Sequence, residues 1–242
     1  MTTPIKSNIN EINLPFNWPV VGTLLFLTGI PGIPAIFLLA LVAMGPLAID
    51  GVSSMISTLH FETPAAIFVH GGSGILFFLT MPFQFSPKLR ARSLKLHKIA
   101  GRIALISGFT MAISAVWMHN VLSPDSQGTR YIVLILTSSA ICLTFSIALW
   151  HIINGNVRAH QKWMIRAVAI TLAAVTPLFV DIIIEIFFSH FNSIYTLLAQ
   201  FQYDYGRMLG IAINLIIVEV ILNKKLISST RSSPRKNTPA LT

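Results

Sequence analysis

Apolar residues are concentrated in six long stretches of the chain, separated by polar, charged or proline-containing segments. A helix needs roughly 20 mostly apolar residues to cross the hydrocarbon core of a bilayer, and each stretch approaches or exceeds that length. The pattern therefore predicts an all-α, polytopic membrane protein built as a bundle of six transmembrane helices. The predicted spans are residues 20–49, 64–85, 97–121, 131–153, 163–188 and 208–226.

The first predicted span is longer than one crossing requires and contains two prolines, Pro31 and Pro34. Proline removes a helical hydrogen bond and its ring disturbs the preceding turn, so we expect this segment either to be kinked or to begin as an interfacial segment. A five-span alternative, in which the first segment is only partly inserted, stays open on the sequence.

The overall composition agrees with a membrane protein and excludes several other classes. Of the 242 residues, 54% are hydrophobic and 10% are charged, whereas an ordinary soluble domain has about 25% charged residues. This composition rules out a soluble enzyme, a disordered chain and a coiled coil. The single cysteine, Cys142, lies within an apolar stretch, which excludes an intramolecular disulfide and a thiol-based metal site.

The 17 lysines and arginines give the chain a net charge of +9, but their positions argue against a nucleic-acid partner. With six spans, the basic clusters all fall on one side of the membrane. This predicts a protein of the cell membrane, of the inner or plasma membrane type, with both termini in the cytoplasm and contacts with anionic lipid of the bilayer. The clusters contain Lys88, Arg90, Arg92, Lys95, Arg158, Lys162, Lys224, Lys225, Arg231, Arg235 and Lys236.

Two terminal segments flank the predicted transmembrane domain of residues 20–227. Residues 1–19 carry only Lys6 before Glu11 and show no small-residue cleavage pattern, so we expect a retained cytoplasmic segment rather than a signal peptide. Residues 228–242 are rich in serine, threonine, proline and basic residues, which predicts a disordered cytoplasmic tail held near anionic lipid.

Ionisable residues at membrane depth are costly, and the seven histidines are therefore the most informative group in this chain. His70 lies about two turns inside the second span, next to Gly71 and Gly72, where a planar group or another helix can approach closely. A packing seam, in which His70 has an ordinary hydrogen bond to a neighbouring backbone, is the alternative.

His97 and His160 each open a span from the basic side, and an arginine follows each histidine deeper in its helix, Arg102 and Arg166 respectively. Basic and aromatic residues also anchor helix ends at the interface, and this explanation competes with a binding role for the two histidines.

The spacing of the histidines suggests two pairs at opposite ends of the bundle. His119 lies near the external end of the third span, on nearly the same helical face as His97 and roughly 33 Å away at 1.5 Å per residue. His70 is then placed to meet His119, and His97 to meet His160 or His151. Paired imidazoles from neighbouring helices can hold haem iron axially.

Three acidic residues lie in the predicted spans. Asp181 and Glu185 are four residues apart on the fifth helix and share a face. They form either a proton-accepting or cation-binding site near the outer surface, or a helix end solvated by water. Glu219 lies inside the sixth span and needs a partner, such as Arg166 or a histidine, or protonation.

Gln84 follows His70 by 14 residues and lies about 40° from the same helical face, so both side chains can line one interior seam. A hydrogen bond from the Gln84 amide to another helix is the alternative. The remaining external residues show no compact metal motif and are interpreted as solvated loop positions: His60, Glu62, Asp125, His190 and Asp204.

The sequence resembles the DUF2306 family of multispan membrane proteins over roughly residues 65–180. The similarity rests on His70, the Phe-Gln-Phe run at 83–85, the phrase His-Lys-Ile-Ala-Gly-Arg at 97–102 and the phrase His-Gln-Lys-Trp-Met-Ile-Arg-Ala at 160–167. Lys98 and Gln161 stand where the family pattern has arginine, so a planar arginine role is not carried over at these two positions. The resemblance implies a multispan membrane protein and no established activity. A wider likeness to diheme cytochrome b561-type bundles is an analogy of fold.

Two classes of function follow from these residues. In the first, the protein is a b-type haem carrier or a quinone-linked electron-transfer subunit with a quinone or a redox protein as partner. His70, His97, His160 and His119 are then the candidate ligands of haem b, and Arg102 and Arg166 pair with propionates or an anionic quinone.

In the second class, the protein is a small transporter, a sensor or an assembly factor without redox chemistry. Asp181, Glu185, Glu219 and the histidines then serve protons or a metal ion along a polar pathway. A lipid-modifying membrane enzyme ranks behind both classes, because no nucleophile motif, phosphate loop or His-Glu-x-x-His helix is present.

Overall fold

The computed structural model describes residues 16–46 and 58–231, and every regular element within these two ranges is helical. This confirms the predicted all-α class. The helices of the described ranges are α1 (Trp18–Met44), α2 (Leu59–Glu62), α3 (Pro64–Thr80), α4 (Pro87–Arg92), α5 (Leu94–Leu122), α6 (Thr129–Ile153), α7 (Val157–Thr171), α8 (Thr176–Phe188) and α9 (Asn192–Arg231). Short 3-10 turns cover Pro82–Phe85 and Leu172–Ala174.

Five helical segments of the described ranges are long and apolar enough to cross a membrane, and the bent pair α7–α8 makes a sixth if it is one span. The second, third and fourth predicted spans agree closely with Pro64–Phe85, Leu94–Leu122 and Thr129–Ile153. The structure therefore supports five or six spans by length and composition.

The first span is one continuous helix, α1, which passes through both Pro31 and Pro34. Its 27 residues correspond to about 40 Å, which is enough to cross the hydrocarbon core. The helix ends at Met44, and Gly45 follows with a positive φ of 81°. The predicted end at residue 49 lies outside the described residues, as does most of the predicted N-terminal segment 1–19.

The fifth span is broken, whereas the sequence predicts one continuous helix from residue 163 to 188. Helices α7 and α8 meet at an angle of 47° around the 3-10 turn. Pro177 explains the break, because a proline has no N–H and its ring clashes with the carbonyl four residues earlier, here that of Ala173. Asn214 of α9 bridges the two halves: its Nδ2 donates to the Ala169 carbonyl at 2.9 Å, and its Oδ1 accepts from the Thr176 hydroxyl at 3.0 Å.

The sixth span begins earlier than the sequence indicates. Helix α9 starts at Asn192, whereas the predicted span starts at Met208. The sequence predicts a loop between the spans that end at residue 188 and begin at residue 208, but residues 192–207 are helical. The helix continues to Arg231, so residues 228–231 are helical and the prediction of disorder from residue 228 is wrong for these four. The rest of the predicted tail, 232–242, lies outside the described residues.

Short capped connections bring the basic segments to one end of the bundle. Ser86 and Ser93 cap α4 and α5, and Asn156 caps α7 by accepting a hydrogen bond from the Ala159 N–H at 3.0 Å. Gly155 adopts a φ of 73°, which lets α6 turn directly into α7. We call the end formed by α4, the α6–α7 turn and the region near Lys224 the basic end. The opposite end, formed by the α5–α6 and α8–α9 connections, is the distal end.

The core lies where α3, α5, α6 and α7 meet. Helix α3 packs most extensively on α5, and α6 packs most extensively on α7. Phe77 and Phe145 are fully buried and lie edge to face with ring centroids 6.0 Å apart. Helix α1 packs outside this core against α3, while α9 contacts α6, α7 and α8.

Substitution of Gly108 by alanine is expected to destabilise this core. A Cβ atom at this position would lie 2.8 Å from Phe145 Cε2 and 3.2 Å from Phe77 Cε2. Because Phe145 is held by Phe77 and Phe109, we expect a loss of about 1–3 kcal/mol in the free energy of unfolding.

The measurement is the midpoint of thermal unfolding in detergent. Gly72→Ala is the matched control, because a Cβ atom at Gly72 would have no neighbour within 4 Å. An unchanged midpoint in Gly108→Ala would show that the packing of Phe145 is not as tight as described.

Candidate functional site

His160 lies in the first turn of α7 and is held by the preceding helix. Its Nδ1 contacts the carbonyl oxygen of Ala148 at 2.8 Å, and Ala148 is fully buried. A carbonyl can only accept, so Nδ1 carries the proton and donates it. In the neutral imidazole, Nε2 then carries a lone pair that is available to a ligand.

His97 lies in the first turn of α5. The helix starts immediately before it, where the Ser93 hydroxyl accepts a hydrogen bond from the Leu96 N–H at 3.2 Å. The His97 side chain is half-buried and lies within electrostatic range of Arg90 and His160. The structure thus brings His97 near His160, whereas His151 packs against Trp150 with ring centroids 4.8 Å apart.

Arg166 and Glu219 form an ion pair between α7 and α9. Nε of Arg166 donates to Oε1 of Glu219 at 2.6 Å, and Nη2 donates to Oε2 at 3.0 Å. The guanidinium also lies 5.0 Å from the Trp163 ring centroid. Of the possibilities that the sequence leaves open for Glu219, a partner or protonation, the structure shows a partner, Arg166.

Arg102 lies five residues after His97 in α5, and Gln84 packs against the same helix at Gly101. Arg102 is exposed and makes no hydrogen bond or ion pair with another described residue. The Gln84 amide oxygen packs on Gly101, at 3.2 Å from the position that a Cβ atom would occupy. Gln84 and His70 therefore both contact α5, Gln84 at Gly101 and His70 at Met111.

His70 lies in a second environment, far from the basic end. Its Nδ1 donates to the Met111 carbonyl at 3.0 Å and lies 3.3 Å from the Ser114 hydroxyl, which itself donates to the Thr110 carbonyl. Met111 is 14 residues from His97, which is about 21 Å along α5. His70 therefore cannot share a ligand with His97.

The expected meeting of His70 with His119 is not seen. His119 Nε2 contacts the Ser126 carbonyl at 2.9 Å, and its ring stacks on Tyr131 with centroids 5.0 Å apart. The hydrogen-bond partners of the two histidines are thus separate.

Asp181 and Glu185 line a cavity at the distal end. Glu185 Oε2 accepts a hydrogen bond from the Tyr195 hydroxyl at 2.8 Å. In the described part of the chain, no three His, Cys, Asp or Glu side chains form a group that could hold a metal ion. The metal-pathway hypothesis therefore has no cluster to support it among these residues.

Sequence reasoning missed the distal arginines, Arg130 and Arg207, and the buried Gln202, which line the same cavity. Arg207 and Gln202 lie in the part of α9 that precedes the predicted start of the sixth span at residue 208. The available signal was the helical spacing of residues 202, 206 and 210, all buried against neighbouring elements.

The fold and the placement of polar residues define a polytopic helical membrane protein with ionisable groups at both ends of its bundle. The model of the predicted membrane protein family DUF2306 matches residues 67–221, and the chain belongs to this family. No curated protein and no solved structure matches the chain.

Removal of Glu219 alone is expected to destabilise the protein more than removal of both members of its ion pair. Glu219→Leu leaves the Arg166 guanidinium without its acceptor, whereas Arg166→Met/Glu219→Leu leaves no charge. We expect a coupling energy of about 1–2 kcal/mol, measured from the thermal unfolding of both single variants and the double variant. Additive effects would show that the pair contributes little beyond its separate side chains.

Proposed function

We propose that this DUF2306 protein is an electron-transfer protein that holds a haem b between His97 and His160 at the basic end. The hydrogen bond from His160 Nδ1 to the Ala148 carbonyl carries the proposal, since it directs the Nε2 lone pair away from the protein backbone. Histidines that bind metals commonly donate their other ring nitrogen to a carbonyl in this way. His97, from another helix, supplies the second imidazole.

A neighbouring cation on α5 suits an anionic group of the haem. Arg102 has a guanidinium without a partner in the described ranges and is the candidate for a propionate. Arg166, the other candidate, already binds Glu219 and instead fixes α7 against α9. Bound haem would supply one-electron chemistry, while the protein orients the two imidazoles through the starts of α5 and α7.

His70 is the candidate for a second ligand position. Its Nδ1 donates to a backbone carbonyl, as that of His160 does, and leaves Nε2 available. His119 is engaged with Ser126 and Tyr131, so it does not supply the opposite ligand in this arrangement. Quinone in the bilayer or a redox protein would be the electron partner.

The transporter, sensor or assembly-factor alternative receives less support from the geometry. Its central acid, Glu219, is bound by both Nε and Nη2 of Arg166, and a carboxylate held in this way is a poor relay for protons.

Purified protein from haem-supplied cells is expected to show a Soret band that depends on His97 and His160. Alanine at either position removes a ligand, so we expect haem affinity to fall by more than the roughly 10–100-fold typical of losing an outer-shell partner. The measurement is the absorption spectrum of the oxidised and reduced protein, normalised to protein concentration.

His151→Ala is the matched control, because His151 lies near the same end but packs against Trp150. A colourless wild-type protein, or a Soret band that survives both alanine substitutions, would refute the haem proposal.

We also propose that the protein lies in the cell membrane with its basic end in the cytoplasm. Lys88, Arg90 and Arg92 in α4, together with Arg158 after the α6–α7 turn, support this orientation. Reporter fusions after Leu94 and Asn156 are expected to be cytoplasmic, and a fusion after Asp125 external. The reverse pattern would overturn the orientation.

A further inference from the structure

A polar cavity opens at the distal end between α6, α8 and the first turns of α9. Its volume is about 400 Å³, and an adjoining cavity of about 350 Å³ reaches towards His119. Arg130, Tyr203 and Arg207 line both cavities. The two cavities therefore share part of their lining, and together we call them the distal site, which is separate from the histidines of the basic end.

One wall of the site is cationic, and Asp204 is the acidic residue that lines the smaller cavity beside it. Arg130 stacks on Tyr203 at 4.3 Å from the ring centroid, and Arg207 lies within electrostatic range of Arg130. Neither guanidinium forms an ion pair with a described carboxylate, although Arg207 is half-buried. Two like charges held together in this way favour an oxyanion, which guanidinium groups bind through paired hydrogen bonds.

A second part of the lining, in the larger cavity, is acidic. Asp181 and Glu185 stand one turn apart on α8, and Tyr195 donates its hydroxyl proton to Glu185. Asp181 makes no hydrogen bond or ion pair with another described residue. The free carboxylate oxygens on this wall suit a protonated amine.

A buried amide among the lining residues of the larger cavity has one oxygen atom without a partner. Gln202 is only 4% exposed, and its Nε2 donates to the Pro177 carbonyl at 3.1 Å. Its Oε1 is buried without a hydrogen bond, in a side chain that lines the larger cavity. A buried acceptor with no partner is costly unless a donor from a ligand or from water satisfies it.

We propose that this distal site binds a zwitterionic group in which an oxyanion is linked to a protonated amine, as in phosphoethanolamine. Arg130 and Arg207 hold the phosphate, and Asp181 and Glu185 hold the ammonium. The group is supplied either by a lipid headgroup or by a free molecule of the same chemistry. The inference does not depend on haem, because the two sites lie at opposite ends of the bundle.

The test is ligand-induced stabilisation of the full-length protein in detergent, since a ligand that binds the folded state raises the unfolding midpoint. One arm titrates soluble phosphoethanolamine, and the other titrates phosphatidylethanolamine in mixed micelles. Glycerol phosphate and phosphatidylglycerol are the matched probes without an amine. A shift with the lipid alone identifies a headgroup site, and a shift with the soluble probe identifies a site for a free molecule.

Four variants connect the binding to the proposed contacts. Arg207→Gln, Arg130→Gln and Asp181→Asn are each expected to weaken binding by about tenfold or more, because each removes a charge-assisted contact. Arg130 is exposed at the start of α6, so its variant is suitable even if Arg207→Gln fails to fold. Arg92→Gln, an exposed position at the basic end, is the control.

Amine-dependent binding that these three variants weaken would support the site. The proposal is overturned if neither amine probe shifts the midpoint, if the probes without an amine bind equally well, or if the three variants bind like the wild type.

Discussion

A helix that breaks inside a bilayer must find new partners for the backbone groups that it frees, because no water is present to satisfy them. In this protein Asn214 of α9 bridges the break between α7 and α8, where it donates to the Ala169 carbonyl and accepts from the Thr176 hydroxyl. Two further polar links join α9 to the broken span: Glu219 binds Arg166, and Gln202 donates to the Pro177 carbonyl. The last helix thus holds the fifth span through polar side chains from Arg166 to Pro177. We call this set of contacts the polar brace.

The polar brace contributes differently to the two ends of the bundle. Near the basic end, Glu219 neutralises the charge of Arg166. The cations and imidazoles that remain available there belong to α5 and the first turn of α7. Near the distal end α9 adds Arg207 and Gln202 to the wall of a cavity. Both sets of contacts require α9 to lie close to the fifth span. At Gly210 of α9, a Cβ atom would lie 3.0 Å from the Ala173 carbonyl oxygen.

Much of the fold could be predicted from hydropathy, because α3, α5 and α6 are apolar over whole membrane-spanning lengths. The Glu219 partner was also predictable, since a lone carboxylate at membrane depth demands one. The start of α9 was not, because tertiary contacts support its polar first turns and hydropathy does not register them. The failed pairing of His70 with His119 has a similar cause: periodicity fixes the face of a single helix but not the rotation of its neighbour.

His70 and His160 share one hydrogen-bond arrangement that packing alone does not explain. His70 and His160 each donate from Nδ1 to a carbonyl of an adjacent helix, although those carbonyls belong to regular helices that have their own hydrogen bonds. A hydroxyl would serve as such a donor at lower volume and without a second polar atom. Histidine adds an unprotonated Nε2 with no partner in the described ranges, and this atom is useful only if something else binds it. This shared geometry supports the proposal that both imidazoles are oriented ligands.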